Sequence, residues 1–158
     1  MKDEIFRFET RWSVPHPLIH VWNQVGLVSK YPTWWKGIER VDLLQGPELP
    51  ISVGSKAAYT VASPLYTLHY QTETIEFDMG KYILARATGD LDGTGKWIFE
   101  HNDHTTHATF IWEVALTPPF LHAVSHLPGA RSIMEFFHDR LMAQGEQGLR
   151  ELLAKHNS

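Results

Sequence analysis

Apolar and polar positions alternate cleanly from Ile5 to Val14. Phe6, Phe8, Thr10, Trp12 and Val14 fall on one face, and Arg7, Glu9, Arg11 and Ser13 on the other. A period of two predicts a half-buried strand. Pro15 and Pro17 suit a helix entrance, where a missing N–H costs nothing. Leu18, Val21, Trp22 and Val25 then recur at helical spacing. A second short helical piece is predicted over Val28 to Tyr31, with Pro32 ending it.

From Ile38 to Thr117 the pattern returns to strands, predicted at 38–44, 55–62, 65–78, 82–90, 93–102 and 105–117. The breaks are Gly46-Pro47, Ser63-Pro64, Met79-Gly80, Asp92-Gly93 and Asn102-Asp103, residue pairs that favour turns. Such short gaps imply hairpins and an antiparallel meander. In the last strand Phe110, Trp112, Val114 and Leu116 share a face. In 65–78, Leu68, Tyr70 and Thr72 oppose Thr67, His69, Gln71 and Glu73. The tyrosine face reads as inward and leaves His69 outside, although Ile75 and Phe77 fall on the histidine face and a bulge would exchange the two.

After Pro128-Gly129, the residues Ile133, Phe137, Leu141, Gly145, Gly148 and Leu152 form a stripe at helical steps. This predicts an amphipathic helix of about six turns. Gly145 and Gly148 each cost roughly 1 kcal/mol relative to Ala, so they mark either a close approach or open space beneath the helix.

The order is thus one strand, two short helices, about six more strands and a long helix. An α+β architecture satisfies it: a curved antiparallel sheet of about seven strands wrapped around a long C-terminal helix. A gap between the two would form a cavity. The 158 residues suit a single domain over 1–158, with no linker and no internal repeat. The absence of cysteine excludes disulfides, thiolate metal sites and a cysteine nucleophile. A net charge of -4 argues against nucleic acid as a partner. No apolar run approaches the ~18 residues of a membrane span, and the start MKDEIFRFE is not that of a signal peptide. A cytoplasmic protein without stable membrane insertion is expected.

The residues that fill this order carry a likeness. They are Phe8-Glu9-Thr10-Arg11-Trp12-Ser13-Val14-Pro15, Val21-Trp22, Tyr31-Pro32-Thr33-Trp34-Trp35, Gly54-Ser55, Gly89 to Trp97, and Thr109-Phe110-Ile111-Trp112-Glu113-Val114. The chain resembles, over nearly its whole length, the START-like (SRPBCC) superfamily of polyketide cyclases and dehydrases, lipid carriers and Bet v 1-type binders. The resemblance implies the helix-grip fold and a cavity for a small hydrophobic ligand. It implies no single activity, because the superfamily shares no catalytic motif.

With the strand faces as read, Tyr59, Tyr70, Trp97 and Trp112 project under the final helix, Phe136 or Phe137 and Leu141 lie above, and Trp34 and Trp35 sit near a mouth. These rings either line a cavity or fill a core. Arg86 and Asp90 share a face with Tyr82, Leu84 and Thr88. Facing inward they must be paired or ligand-bound; facing outward they are ordinary solvated charges. The candidate ligand-binding set is Trp35, Tyr59, Tyr70, Arg86, Asp90, Trp97, Trp112, Phe137 and Leu141.

Other chemistry is poorly supported. His101, His104 and His107 cluster at a hairpin turn, and His122 and His126 are four apart, but no third ligand is indicated and no metal is expected. No Gly-x-Ser-x-Gly elbow surrounds Ser52, Ser55 or Ser63. Gly93-Thr94-Gly95-Lys96 lacks the following helix of a phosphate loop, and no cofactor is implied. The favoured reading is binding or transport of a small hydrophobic or amphipathic molecule. The alternative is a polyketide cyclase or dehydrase, which requires an inward acid–base group within reach of substrate.

Overall fold

Strand β1 (Phe6–Val14) keeps its alternation in the computed structural model, which describes residues 5–63 and 66–156: Phe6, Phe8, Trp12 and Val14 are buried and Arg7, Glu9 and Arg11 exposed. Helix α1 (Leu18–Gly26) follows Pro17 and buries Val21, Trp22 and Val25. The chain then makes a 3-10 turn (Val28–Lys30) and runs directly into helix α2 (Tyr31–Trp34). Pro32 was expected to end a helix and instead stands in the first turn of α2, where its missing N–H has no intrahelical role.

Six strands complete the sheet: β2 (Ile38–Gln45), β3 (Lys56–Val61), β4 (Leu68–Asp78), β5 (Tyr82–Gly89), β6 (Leu91–His101) and β7 (Thr106–Leu116). Their order is β1-β7-β6-β5-β4-β3-β2, all neighbours antiparallel, with β1 closing against β7. This is the seven-stranded meander that the alternation implied. The turn expected at Asp92-Gly93 lies instead at Gly89-Asp90, so Asp92 and Gly93 stand inside β6. Gly89 has φ +110°, and the Asp90 N–H donates to the His69 carbonyl at 3.0 Å, which locks the corner. The expected break at Ser63-Pro64 and the strand start at 65 fall partly on Pro64 and Leu65, outside the described residues.

In β4 both halves of the sequence pattern hold. Tyr70 and Thr72 face the concave side and His69 is exposed; a register shift between Thr74 and Glu76 then returns Phe77 to the core and leaves Ile75 exposed. The bulge therefore carries the inward set from Tyr70 to Phe77 rather than exchanging the faces.

Helix α3 (Pro119–Ser125) precedes the long helix α4 (Ala130–His156), whose 27 residues make about seven and a half turns rather than six. Its buried line is rotated from the expected stripe. Ala130, Met142, Gly145, Leu149 and Leu153 are buried, with Met134 and His138 part-buried along the same line, whereas Ile133 is 49% exposed. Gly148 explains the rotation. A Cβ there would stand 1.8 Å from the Trp34 carbonyl oxygen, so α4 and α2 touch backbone to backbone. Of the two meanings of the glycines, close approach is the one observed.

Two polar ties fix the helix on the sheet. Glu146 accepts from the Ser13 N–H at 2.7 Å, and Arg150 Nε donates to the Ser13 carbonyl at 2.9 Å. The Trp35 indole N–H donates to the Leu141 carbonyl at 2.9 Å and joins α2 to the middle of α4.

Candidate functional site

The helix closes the sheet unevenly. Beneath Gly145 and Leu149 the packing is tight, because Trp12 meets Trp35 and Trp97 at 5.0 Å between ring centroids and Trp34 stacks on Trp35 at 5.4 Å. Beneath His138, Leu141 and Met142 the two layers part and leave a cavity of about 150 Å3. An engineered apolar cavity of about that volume holds a benzene ring. The hollow is the product of a helix held down at its C-terminal half and of large rings that prop up the remainder.

Each wall comes from inward positions of consecutive strands. β3 and β4 supply Tyr59 and Tyr70, whose rings stack 5.1 Å apart at an interplanar angle of 6°. β6 and β7 supply Trp97, Phe110 and Trp112. Gly95 makes the last of these possible: it lies opposite Trp112, and a Cβ there would come within 2.5 Å of the indole. Tyr31 and Trp35 close the end formed by the short helices.

Polar groups enter at two places. One is a rim built by the β2–β3 connection with β4, where Glu48, Ser52, Ser55 and Thr74 border the cavity. The Glu48 carboxylate accepts from the Ser29 N–H at 3.0 Å and from its hydroxyl at 2.6 Å. The tyrosines stay protonated. Burial raises the phenol pKa of Tyr31, Tyr59 and Tyr70 well above the ordinary value; neighbouring Tyr59 reinforces this at Tyr31 and Tyr70, and a hydrogen bond with Thr72 partly offsets it at Tyr59. The Tyr31 hydroxyl is spent on the Val25 carbonyl.

The second polar group is His138, in the roof. Its side chain is 10% exposed, it stacks on Phe8 at 4.7 Å, and neither ring nitrogen has a hydrogen-bond partner. Asp139 Oδ1 lies 3.9 Å from Nδ1, too far for a hydrogen bond. Burial lowers the imidazole pKa to about 4, with Asp139 opposing weakly, so the ring is neutral at pH 7. Sequence reasoning passed over His138 because it flanks the apolar stripe; only the rotation of α4 turns it inward.

Of the expected site residues, Trp35, Tyr59, Tyr70, Trp97, Trp112 and Leu141 stand in the cavity wall. Arg86 does not. Inward positions of β5 are Ile83, Ala85 and Ala87, which puts Arg86 on the convex face, where it pairs with Asp92 at 2.6 Å with both side chains 49% exposed. Asp90 is likewise outside the wall and accepts from the His69 N–H at 2.8 Å. Phe137 misses the wall because of the helix rotation and packs edge-on to Phe136 at 5.6 Å. Arg86→Ala is accordingly expected to change the unfolding free energy by less than about 0.5 kcal/mol in a denaturant titration, and to leave ligand binding untouched. Loss of binding in that variant would return Arg86 to the site.

Histidines elsewhere find local roles. His107 Nδ1 lies 2.9 Å from the Ser13 hydroxyl, and His122 and His126 pack edge to face at 4.9 Å within and just beyond α3. Among the described residues no three His, Asp or Glu side chains converge as metal ligands, and no helix is long and apolar enough to cross a membrane.

The sequence matches no family model and no curated protein sequence. Solved structures do share its shape. The Zhui aromatase/cyclase from Streptomyces sp. R1128 superposes with a TM-score of 0.77 at 14% identity, over 98% of this chain and 97% of that one. A START superfamily protein from Mycobacterium smegmatis gives 0.74 at 10% identity, over 95% and 98%. Ginseng major latex-like protein 151 from Panax ginseng gives 0.67 at 8% identity, over 93% and 96%. The helix-grip fold that the sequence resemblance implied is therefore the fold of this chain.

Proposed function

We propose that the protein binds a small hydrophobic or amphipathic molecule in the cavity between the sheet and α4. The observation that carries this reading is the hollow itself. A chain with six Trp, eight Phe and five Tyr had ample bulk to fill its core, yet leaves about 150 Å3 open beneath the middle of its longest helix. Interiors pack to crystal-like density, so an aromatic-walled void of this size costs stability and is best accounted for by an occupant. Flat rings suit walls of stacked tyrosine and tryptophan, and the polar rim gives a ligand's hydrophilic end a place near solvent.

A titration with toluene followed by 1H–15N NMR tests the proposal. Shifts are expected at Tyr59, Tyr70, Trp97 and Trp112. Ala85→Phe, which adds a ring to a part-buried wall position, is expected to weaken toluene binding at least tenfold without lowering the melting temperature. No binding by the wild type, or equal binding by Ala85→Phe, would sink the reading.

A cyclase role is the second reading. Its specific support is the acid–base group such a role requires, present as His138 rather than as Arg86, Asp90 or His69, together with the shape shared with an aromatase/cyclase. A base with a pKa of about 4 is weak at neutral pH, which is why binding is preferred.

A further inference from the structure

We infer that His138 is a specificity-determining contact: its unpartnered imidazole selects, for this cavity, an uncharged aromatic ligand bearing a hydroxyl group. The inference rests on the binding reading above and adds a ligand class to it. His138 is nine-tenths buried, belongs to the cavity wall, and has both ring nitrogens without a partner. A buried polar atom without a hydrogen bond is rare in a native interior, and a neutral imidazole offers one donor and one acceptor. A hydroxyl group also donates and accepts, so it matches either nitrogen in either tautomer. An aliphatic or purely aromatic ligand would leave the ring as unsatisfied as it is now.

Charge is selected against by what surrounds the ring. Phe8 covers one face at 4.7 Å, and Tyr59, Tyr70 and Trp112 line the same cavity. Arg86, the cation the sequence suggested, points away on the convex face. Lys56 borders the cavity but lies 3.5 Å from the Glu73 carboxylate, and Glu48 places a negative charge at the rim. A carboxylate ligand would lose its hydration without gaining a free cation. The ring's position fixes the geometry further, because α4 is held by the Trp35–Leu141 hydrogen bond one turn away.

Three probes of one shape separate the possibilities: toluene, p-cresol and p-toluate, titrated by NMR against the wild type and the variants His138→Phe and His138→Gln. The wild type is expected to bind p-cresol at least tenfold more tightly than toluene, about 1.4 kcal/mol, and p-toluate not measurably. His138→Phe keeps an aromatic ring against Phe8 and is expected to bring the p-cresol-to-toluene affinity ratio down to about one. His138→Gln restores donor and acceptor and is expected to recover part of that preference. Equal affinity of the wild type for p-cresol and toluene overturns the inference, as does a preference that survives in His138→Phe or a tighter grip on p-toluate. Failure of the wild type to bind toluene would instead strike the cavity reading beneath it.

Discussion

Gly148→Ala is expected to lower the melting temperature by roughly 8–16 °C, the equivalent of about 4 kcal/mol for a domain of this size. A single methyl group ordinarily helps a helix, since Ala is favoured over Gly by about 1 kcal/mol in a helix interior. Here the added carbon would stand 1.8 Å from the Trp34 carbonyl oxygen and 2.9 Å from its carbon. Those atoms belong to the backbone of α2 and cannot rotate aside, so α4 must lift. The lift strains the Trp35–Leu141 hydrogen bond and the Glu146–Ser13 tie, which hold the helix over the sheet. Gly145→Ala makes the informative contrast: its methyl would meet Trp35 and Trp12 at 2.5 and 2.7 Å, so the indole rings must shift, but no backbone atom stands among its nearest contacts. It should therefore destabilise less than Gly148→Ala, and it should disturb the rings that bound the cavity. Thermal melts followed by circular dichroism decide the order; a Gly148→Ala protein that melts within about 2 °C of the wild type would mean that α4 and α2 do not touch there.

What the sequence revealed and what it hid have a common physical origin. Strands were legible where one face is buried and a period of two survives, as in Phe6, Phe8, Trp12 and Val14 or in Phe110, Trp112 and Val114. For β5 the same period was present on both faces. Tyr82 and Leu84 are as bulky as the inward Ile83, Ala85 and Ala87, so only the sheet's curvature tells which side Arg86 occupies. The long helix was the harder case. A helix that fills a core displays a continuous apolar stripe, but α4 roofs a hollow and meets α2 backbone to backbone. Its inward line therefore contains an alanine, a histidine and a glycine, while Ile133 and Phe136 face outward. The rim escaped for another reason. Glu48, Ser52 and Ser55 lie on an irregular connection, and an irregular segment has no period to read.

Acid exposes the role of His138 in stability as well as in recognition. In the folded protein its pKa is lowered to about 4, against about 6.5 for an exposed imidazole in the unfolded chain. Between those values the unfolded state binds the proton and the folded state does not, so the contribution is complete above pH 6.5 and is lost as pH falls toward 4. A shift of this size corresponds to roughly 3 kcal/mol over the window. The Asp139 carboxylate favours the proton; the larger, opposing force is burial against Phe8 beneath α4. The other histidines add their own dependence, so the decisive quantity is a difference. Unfolding free energies of the wild type and of His138→Phe are measured by urea titration from pH 7 to pH 4, and their difference is expected to change by roughly 3 kcal/mol, the wild type losing more than the variant. Parallel curves would mean that His138 reaches water in the folded state.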